Sequence, residues 1–181
     1  VLEQQGKAAE IRPECTADLT VSAYIPEGYV PAAQQRMDLY RRIAAIETSA
    51  DAAEILDELL DRYGDVPPSV TALTEVALLR RDAADCGVGD ITQRGEQIVF
   101  SLGPQPDITA LARVCALPAY RQRLRLRADG EPKLLLYLQS KENALQAARA
   151  LINELRLHHL QRTPGPGPEE ITSDTERRTD K

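Results

Sequence analysis

Between Glu54 and Gly64 the chain reads EILDELLDRYG, which sets four carboxylates and one arginine within eleven residues. Carboxylates at such density can hold a metal, move a proton or pair with a cation, and their spacing decides which. At 100° per residue, Ala52, Ile55, Leu56, Leu59, Leu60 and Tyr63 form one apolar arc of a helix. Glu54, Asp57, Glu58 and Asp61 then share the opposite side, with Arg62 on its flank. Glu54–Glu58 and Asp57–Asp61 are like-charge i,i+4 pairs, each unfavourable by about 0.2–0.5 kcal/mol, and Glu58–Arg62 is the one favourable pair. Asp57, Glu58 and Asp61 also lie in the turns nearest the helix C-terminus, where the macrodipole disfavours negative charge. A face of this kind is either an ordinary solvated surface that tolerates a small cost, or one half of a contact with a cation-bearing partner.

Other chemistry is sparse. The run ILDEL resembles the acidic pair of a nucleotide-hydrolysing motor, but that pair ends a buried strand and acts on phosphate-bound magnesium, whereas the period here is helical. A phosphate-binding loop needs glycines with free N–H groups followed by Lys and Ser or Thr. The glycines of PGPGP alternate with prolines that have no N–H, and Gly6-Lys7 follows no glycine-rich turn. His158 and His159 are adjacent, so on a helix they point about 100° apart and suit a frayed helix end better than one metal ion. Cys15, Cys86 and Cys115 are too dispersed for a zinc pair or a disulfide framework and are expected to be reduced. No catalytic residue, metal site or cofactor is expected, and the chain is not read as an enzyme. Arg121, Arg123, Arg125 and Arg127 would project from one face of a strand, with Leu124 and Leu126 on the other. They could touch phosphates, or simply guard an edge strand against aggregation.

The elements that position these residues follow from local patterning. DLTVSAYIP, Asp18 to Pro26, alternates apolar and polar residues and predicts a strand. Met37, Tyr40, Ile43 and Ile46 mark one stripe of a helix over Gln34 to Ile46. Thr48 to Asp51 offers cap chemistry for the acidic helix, and Gly64 suits its C-terminal stop. Pro67 and Pro68 open a third helix, with Val70, Leu73, Val76, Ala77 and Leu79 on its apolar face, ending at Gly87. Asp90 to Leu102 predicts a hairpin about Gly95, and Asp107 caps a helix through Cys115 with Ile108, Leu111 and Val114 on one side. Arg121 to Leu138 predicts a second hairpin around ADGEP. Ser140 would cap a last helix carrying Leu145, Ala148, Leu151, Ile152 and Leu155, fraying near His159. The class is α+β: an N-terminal strand and a three-helix segment, two hairpins forming a small sheet, and C-terminal helices packed on it.

The chain has 181 residues, 43% hydrophobic and 28% charged, enough for a core of ordinary size. Residues 1–17 are expected to be a polar lead-in, 18–160 a single domain, and 161–181, rich in Pro, Gly and charge, a disordered tail. A start at Val1 without an apolar leader suggests a cytoplasmic piece of a longer chain, and no membrane contact is expected. The formal charge of -6 argues against a free-standing nucleic-acid binder, since such binding relies on neutralising phosphates.

AYIPEGYVPAAQQRMDLYRRIA, followed by DELLDRYGDVPPSV, resembles the C-terminal (TRCF) domain of bacterial transcription-repair coupling factor (Mfd). The family pattern has an aromatic-Ile-Pro entry, a helix ending in Leu-Tyr-Lys-Arg and a Glu-Leu-Ile-Asp-Arg-Phe-Gly segment. The match is specific over about residues 20–102 and weaker beyond. Met37 stands where Leu is usual, Arg41 for Lys, Leu60 for Ile and Tyr63 for Phe, all changes that keep size and polarity. The resemblance implies a regulatory module of transcription-coupled nucleotide excision repair, the pathway that answers DNA damage at stalled transcription. In that family this domain docks on the UvrB-like N-terminal module of the same protein and masks the surface that recruits UvrA until RNA polymerase is engaged, an autoinhibition. It also implies docking residues at Glu58, Asp61 and Arg62, with Glu54 and Asp57 beside them. ATP binding and DNA translocation would belong to the helicase-family motor of the parent protein. Alternatives are a nucleic-acid contact through Arg121, Arg123, Arg125 and Arg127, or a structural cap for the motor.

Overall fold

The computed structural model describes residues 14–160. Its elements run β1 (Thr16–Asp18), α1 (Ala33–Ala44), α2 (Ser49–Tyr63), α3 (Pro68–Asp85), β2 (Val88–Arg94), β3 (Gln97–Leu102), α4 (Ile108–Ala116), β4 (Leu124–Arg127), β5 (Lys133–Tyr137) and α5 (Ala144–Leu160). The five strands form one mixed sheet in the order β1-β2-β3-β5-β4, parallel only between β1 and β2. This is the expected α+β architecture, with both hairpins and the three-helix segment in place.

Two hydrophobic clusters organise it. Ile91, Ile98, Phe100, Leu134 and Leu136 point from one face of the sheet into a core completed by α3, α4 and α5. Ile25, Val30, Leu39, Ile43, Ile46, Ala52, Ile55, Leu59 and Val70 form a second, all-helical cluster around α1, α2 and the first turn of α3. Helix α3 therefore serves both, with Val70 in the helical cluster and Leu79, Ala83 and Ala84 in the sheet core.

Local chemistry explains most boundaries. Thr48 and Asp51 make a reciprocal capping box at the start of α2, each side chain accepting from the other's backbone N–H. Gly64 ends α2 with φ 82°, a region that other residues avoid. Gly95, at φ 61°, opens the two-residue turn between β2 and β3, as primed hairpin turns require. Asp107 caps α4 by accepting from the N–H groups of Thr109 and Ala110.

Several expectations are corrected. The first strand is Thr16–Asp18 rather than 18–26. Burial does alternate along 19–25, but these residues leave the sheet and cross to the helical cluster, where the Tyr24 N–H donates to the Ser69 carbonyl and the Ile25 N–H to the Tyr40 hydroxyl. The fold accordingly begins before residue 18, because Cys15 is buried in the sheet core and Thr16 and Ala17 pair with β2. In α1 the inward residues are Leu39 and Ile43, with Met37 turned out at 52% exposure. In α4 Ile108 is exposed and Ala110 takes its inward place. Ser140 does not cap α5. Lys141 adopts a left-handed φ of 64°, and Asn143 then accepts from the Gln146 N–H. The expected tail 161–181 and most of the expected lead-in lie outside the described residues.

Candidate docking face on the acidic helix

Helix α2 packs through Ala52, Ile55 and Leu59, so the acidic side is turned away from the helical cluster. Helix α1 runs alongside in the opposite sense: Tyr63 donates to Gln35 near one end, and Arg42 reaches Glu58 further along. A further anchor is the Tyr29 hydroxyl, 3.0 Å from the carbonyl oxygens of both Leu59 and Gly64 at the helix terminus.

The four carboxylates do not behave alike. Glu58 Oε2 accepts from Arg42 at 2.6 Å and its Oε1 accepts from Arg62 at 3.0 Å. The hydrogen bond from Arg42, then that from Arg62, pulls the Glu58 carboxyl down to about 2, and the same contact raises Arg42. The side chains are 33% (Glu58), 44% (Arg42) and 50% (Arg62) exposed, so the network lies at the surface. Arg62 also stands over the Tyr63 ring at 5.3 Å. Glu54, Asp57 and Asp61 are exposed and make no hydrogen bond or ion pair with the described residues. Leu60, assigned to the core arc by its spacing, is 50% exposed because it lies at the arc's edge, about 100° from the inward Leu59.

Sequence reasoning brought Glu58, Asp61, Arg62, Glu54 and Asp57 to one helix side and missed Arg42. No pattern within α2 could have revealed it, since Arg42 lies sixteen residues before Glu58 on another helix. The face can exchange charge-assisted hydrogen bonds with a partner through three unpaired carboxylates and two guanidiniums. Among the described residues, no group of three or more His, Cys, Asp or Glu side chains is placed to hold a metal ion.

The arginine stripe is not assembled. Arg121 precedes the edge strand β4, and Arg123 turns inward to Glu142 at 2.5 Å while lying over the Tyr120 ring. Arg127 pairs with Asp129, and Arg125 is exposed with no ion pair among the described residues. Leu126 is exposed as well, because β4 has a neighbour on one side only. The histidines lie in the last turn of α5, which is described through Leu160, and His159 Nδ1 lies 3.3 Å from Asp107. The cysteines are free, and burial pushes the thiols of Cys15 and Cys86 up to about 11 and about 12, which makes them poor nucleophiles.

The family model of the TRCF domain matches residues 19–112, a stretch that runs from the crossing segment through the acidic helix into α4. The chain is 34% identical over 90 residues to the transcription-repair-coupling factor of Staphylococcus haemolyticus, covering 50% of this chain and 8% of that protein. It is 36% identical over 89 residues to that of Mycobacterium tuberculosis, covering 49% and 7%, and 31% over 103 residues to that of Myxococcus xanthus, covering 57% and 9%. The chain thus matches under a tenth of the length of these relatives. Its fold superposes on a crystal structure of the C-terminal domain of transcription-repair coupling factor with TM-score 0.68 and 18% identity, covering 83% of this chain and 98% of that one. With more than half of its residues inside the family match, the chain belongs to the TRCF domain family.

Proposed function

We propose that this domain is the regulatory lock of its parent protein, docking through the exposed face of α2 on the UvrB-like N-terminal module and masking the surface that recruits UvrA. The observation that carries this reading is the set of carboxylates Glu54, Asp57 and Asp61, which form no ion pair among the described residues and share one side of a helix whose fourth carboxylate, Glu58, is already paired. Their mutual repulsion, and the position of Asp57 and Asp61 toward the helix C-terminus, are relieved when an arginine-bearing surface covers them. Release would follow engagement of stalled RNA polymerase by the parent, a cytoplasmic ATP-dependent DNA translocase that couples transcription to nucleotide excision repair. A nucleic-acid contact through the arginine strand has less support, since two of its four arginines are held by Glu142 and Asp129. Among the described residues no helix is long and apolar enough to cross a membrane.

The test is a titration of the 181-residue chain against the UvrB-like module, with Asp61→Arg as the variant. Asp61 touches no described partner, so the fold is expected to survive while docking weakens by about 2–5 kcal/mol, the range for disrupting a desolvated charge pair. Equal docking by Asp61→Arg and the unmodified chain rejects the proposal.

A further inference from the structure

We propose that Arg42 of α1 is a positioning residue for this face: together with Arg62 it fixes the Glu58 carboxylate, and the partner that fits is a protein surface of alternating charge. This deepens the docking proposal above and rests on it. Glu58 on its own is a flexible surface side chain. Here its two oxygens are each held by one guanidinium, one reaching from the same helix and one from its neighbour. A carboxylate has about four acceptor sites, so each oxygen keeps a lone pair free while its position is fixed. Preorganisation of this kind strengthens association by removing the cost of ordering the side chain on contact.

The arrangement also states what the partner must look like. Placed at 100° per residue, the exposed side of α2 runs from Arg62 and Glu58, beside Arg42, through Glu54 and Asp61 to Asp57 and then Leu60. Moving away from α1, the face is therefore first mixed and cation-rich, then acidic, then apolar at the half-exposed Leu60. A nucleic acid, uniformly anionic, fits the first part and is repelled by the second. A protein surface fits all of it if it presents carboxylates or carbonyls to Arg62, an arginine to the acids including the Glu58 that Arg42 holds in place, and an apolar side chain to Leu60. A bridge that merely joined α1 to α2 would influence melting and leave docking alone.

The experiment is a double-mutant cycle. The 181-residue chain and its variants Arg42→Gln, Arg42→Lys, Glu58→Gln and Arg42→Gln/Glu58→Gln are titrated against the UvrB-like module, with the melting temperature of each recorded. Arg42→Gln is expected to weaken docking about ten-fold, the scale of one charge-assisted hydrogen bond. Arg42→Lys should recover part of that loss, because it keeps the charge without the fork. The double variant should dock no more weakly than Glu58→Gln alone, since Arg42 acts through Glu58. Unchanged or tighter docking of Arg42→Gln overturns the inference, as do losses that simply add in the double variant. Loss of docking confined to variants that have melted at the assay temperature also overturns it, because the role is then structural. If the unmodified chain does not dock, the docking proposal falls and takes this one with it. If it docks and Asp61→Arg does not, while Arg42→Gln docks normally, only the role of Arg42 is rejected.

Discussion

Glu58→Gln keeps the size of the side chain and removes its charge, so it isolates what the two arginines contribute to stability. Exposed ion pairs are worth about 0.2–1 kcal/mol each, and these side chains are one-third to one-half exposed. Two pairs therefore give about 0.5–2 kcal/mol. Removing the charge also relieves repulsion from Glu54 and from the helix C-terminus by a few tenths of a kcal/mol, which leaves a net loss of about 1 kcal/mol. For a chain of this size, that is about 2–4 °C in melting temperature at pH 7. The pH dependence follows from the direction of the shift. The folded Glu58 carboxyl is depressed to about 2, below its ordinary value, so its contribution is complete above the unfolded value and is lost as pH falls toward 2. The gap between the two proteins should accordingly close between about pH 5 and pH 2, measured by thermal circular dichroism or calorimetry. Equal melting at pH 7, or a gap that persists undiminished at pH 2, refutes the network as described. Charge reversal is the harsher perturbation, since Glu58→Arg would set three guanidiniums together and should destabilise more than Glu58→Gln. Counting charges within α2 alone suggests the opposite sign, because it omits Arg42.

Other outcomes can be checked with the same material. Thr48→Ala removes half of the capping box of α2 and should cost about 1 kcal/mol, read as a lower denaturant midpoint with unchanged slope. Phe100→Ala empties the centre of the sheet core and should cost about 3–5 kcal/mol, whereas Leu126→Ala on the exposed edge strand should cost far less. The chain should release no phosphate from ATP above background, since its sequence contains no glycine-rich phosphate loop.

What could be read from the sequence was whatever is decided locally. Both hairpins were marked by glycine-containing turns between apolar runs, and α2 by Thr48 at one end and Gly64 at the other. The first strand was misplaced because its partner β2 lies more than seventy residues away, and parallel pairing across that distance leaves no trace in neighbouring residues. The alternation at 19–25 was real but reflects burial along a crossing segment without a strand neighbour. Met37 and Leu39 exchanged roles because steps of three residues drift by about 60° each, which carries Met37 off the face on which Tyr40, Ile43 and Ile46 join the helical cluster. At the candidate site, the side on which the acids lie was legible from periodicity. That Glu58 is tied to α1 while Asp61 forms no ion pair among the described residues was not, because tertiary placement decides which charges are already paired.

That division governs how docking variants must be interpreted. Glu54, Asp57 and Asp61 touch neither hydrophobic cluster and make no hydrogen bond or ion pair among the described residues, Glu54 only attracting Arg42 through space, so their substitution should leave the fold nearly unchanged. A docking defect in Asp61→Arg can therefore be assigned to the face itself. Glu58 has no such independence, because it links α1 to α2, and those helices belong to the helical cluster around Ile43, Ile55 and Leu59. A defect in Glu58→Arg combines a lost contact, a displaced Arg42 and a weaker helix pair. Only the comparison with Glu58→Gln and Arg42→Gln separates these, since Glu58→Gln and Arg42→Gln each break the bridge without adding a third cation. The sheet core offers an internal control, because it is built on β2, β3 and β5 and shares only α3 with the helical cluster. Loss of docking with intact melting of the sheet would place the fault in the α1–α2 face, and loss of both would place it in the fold.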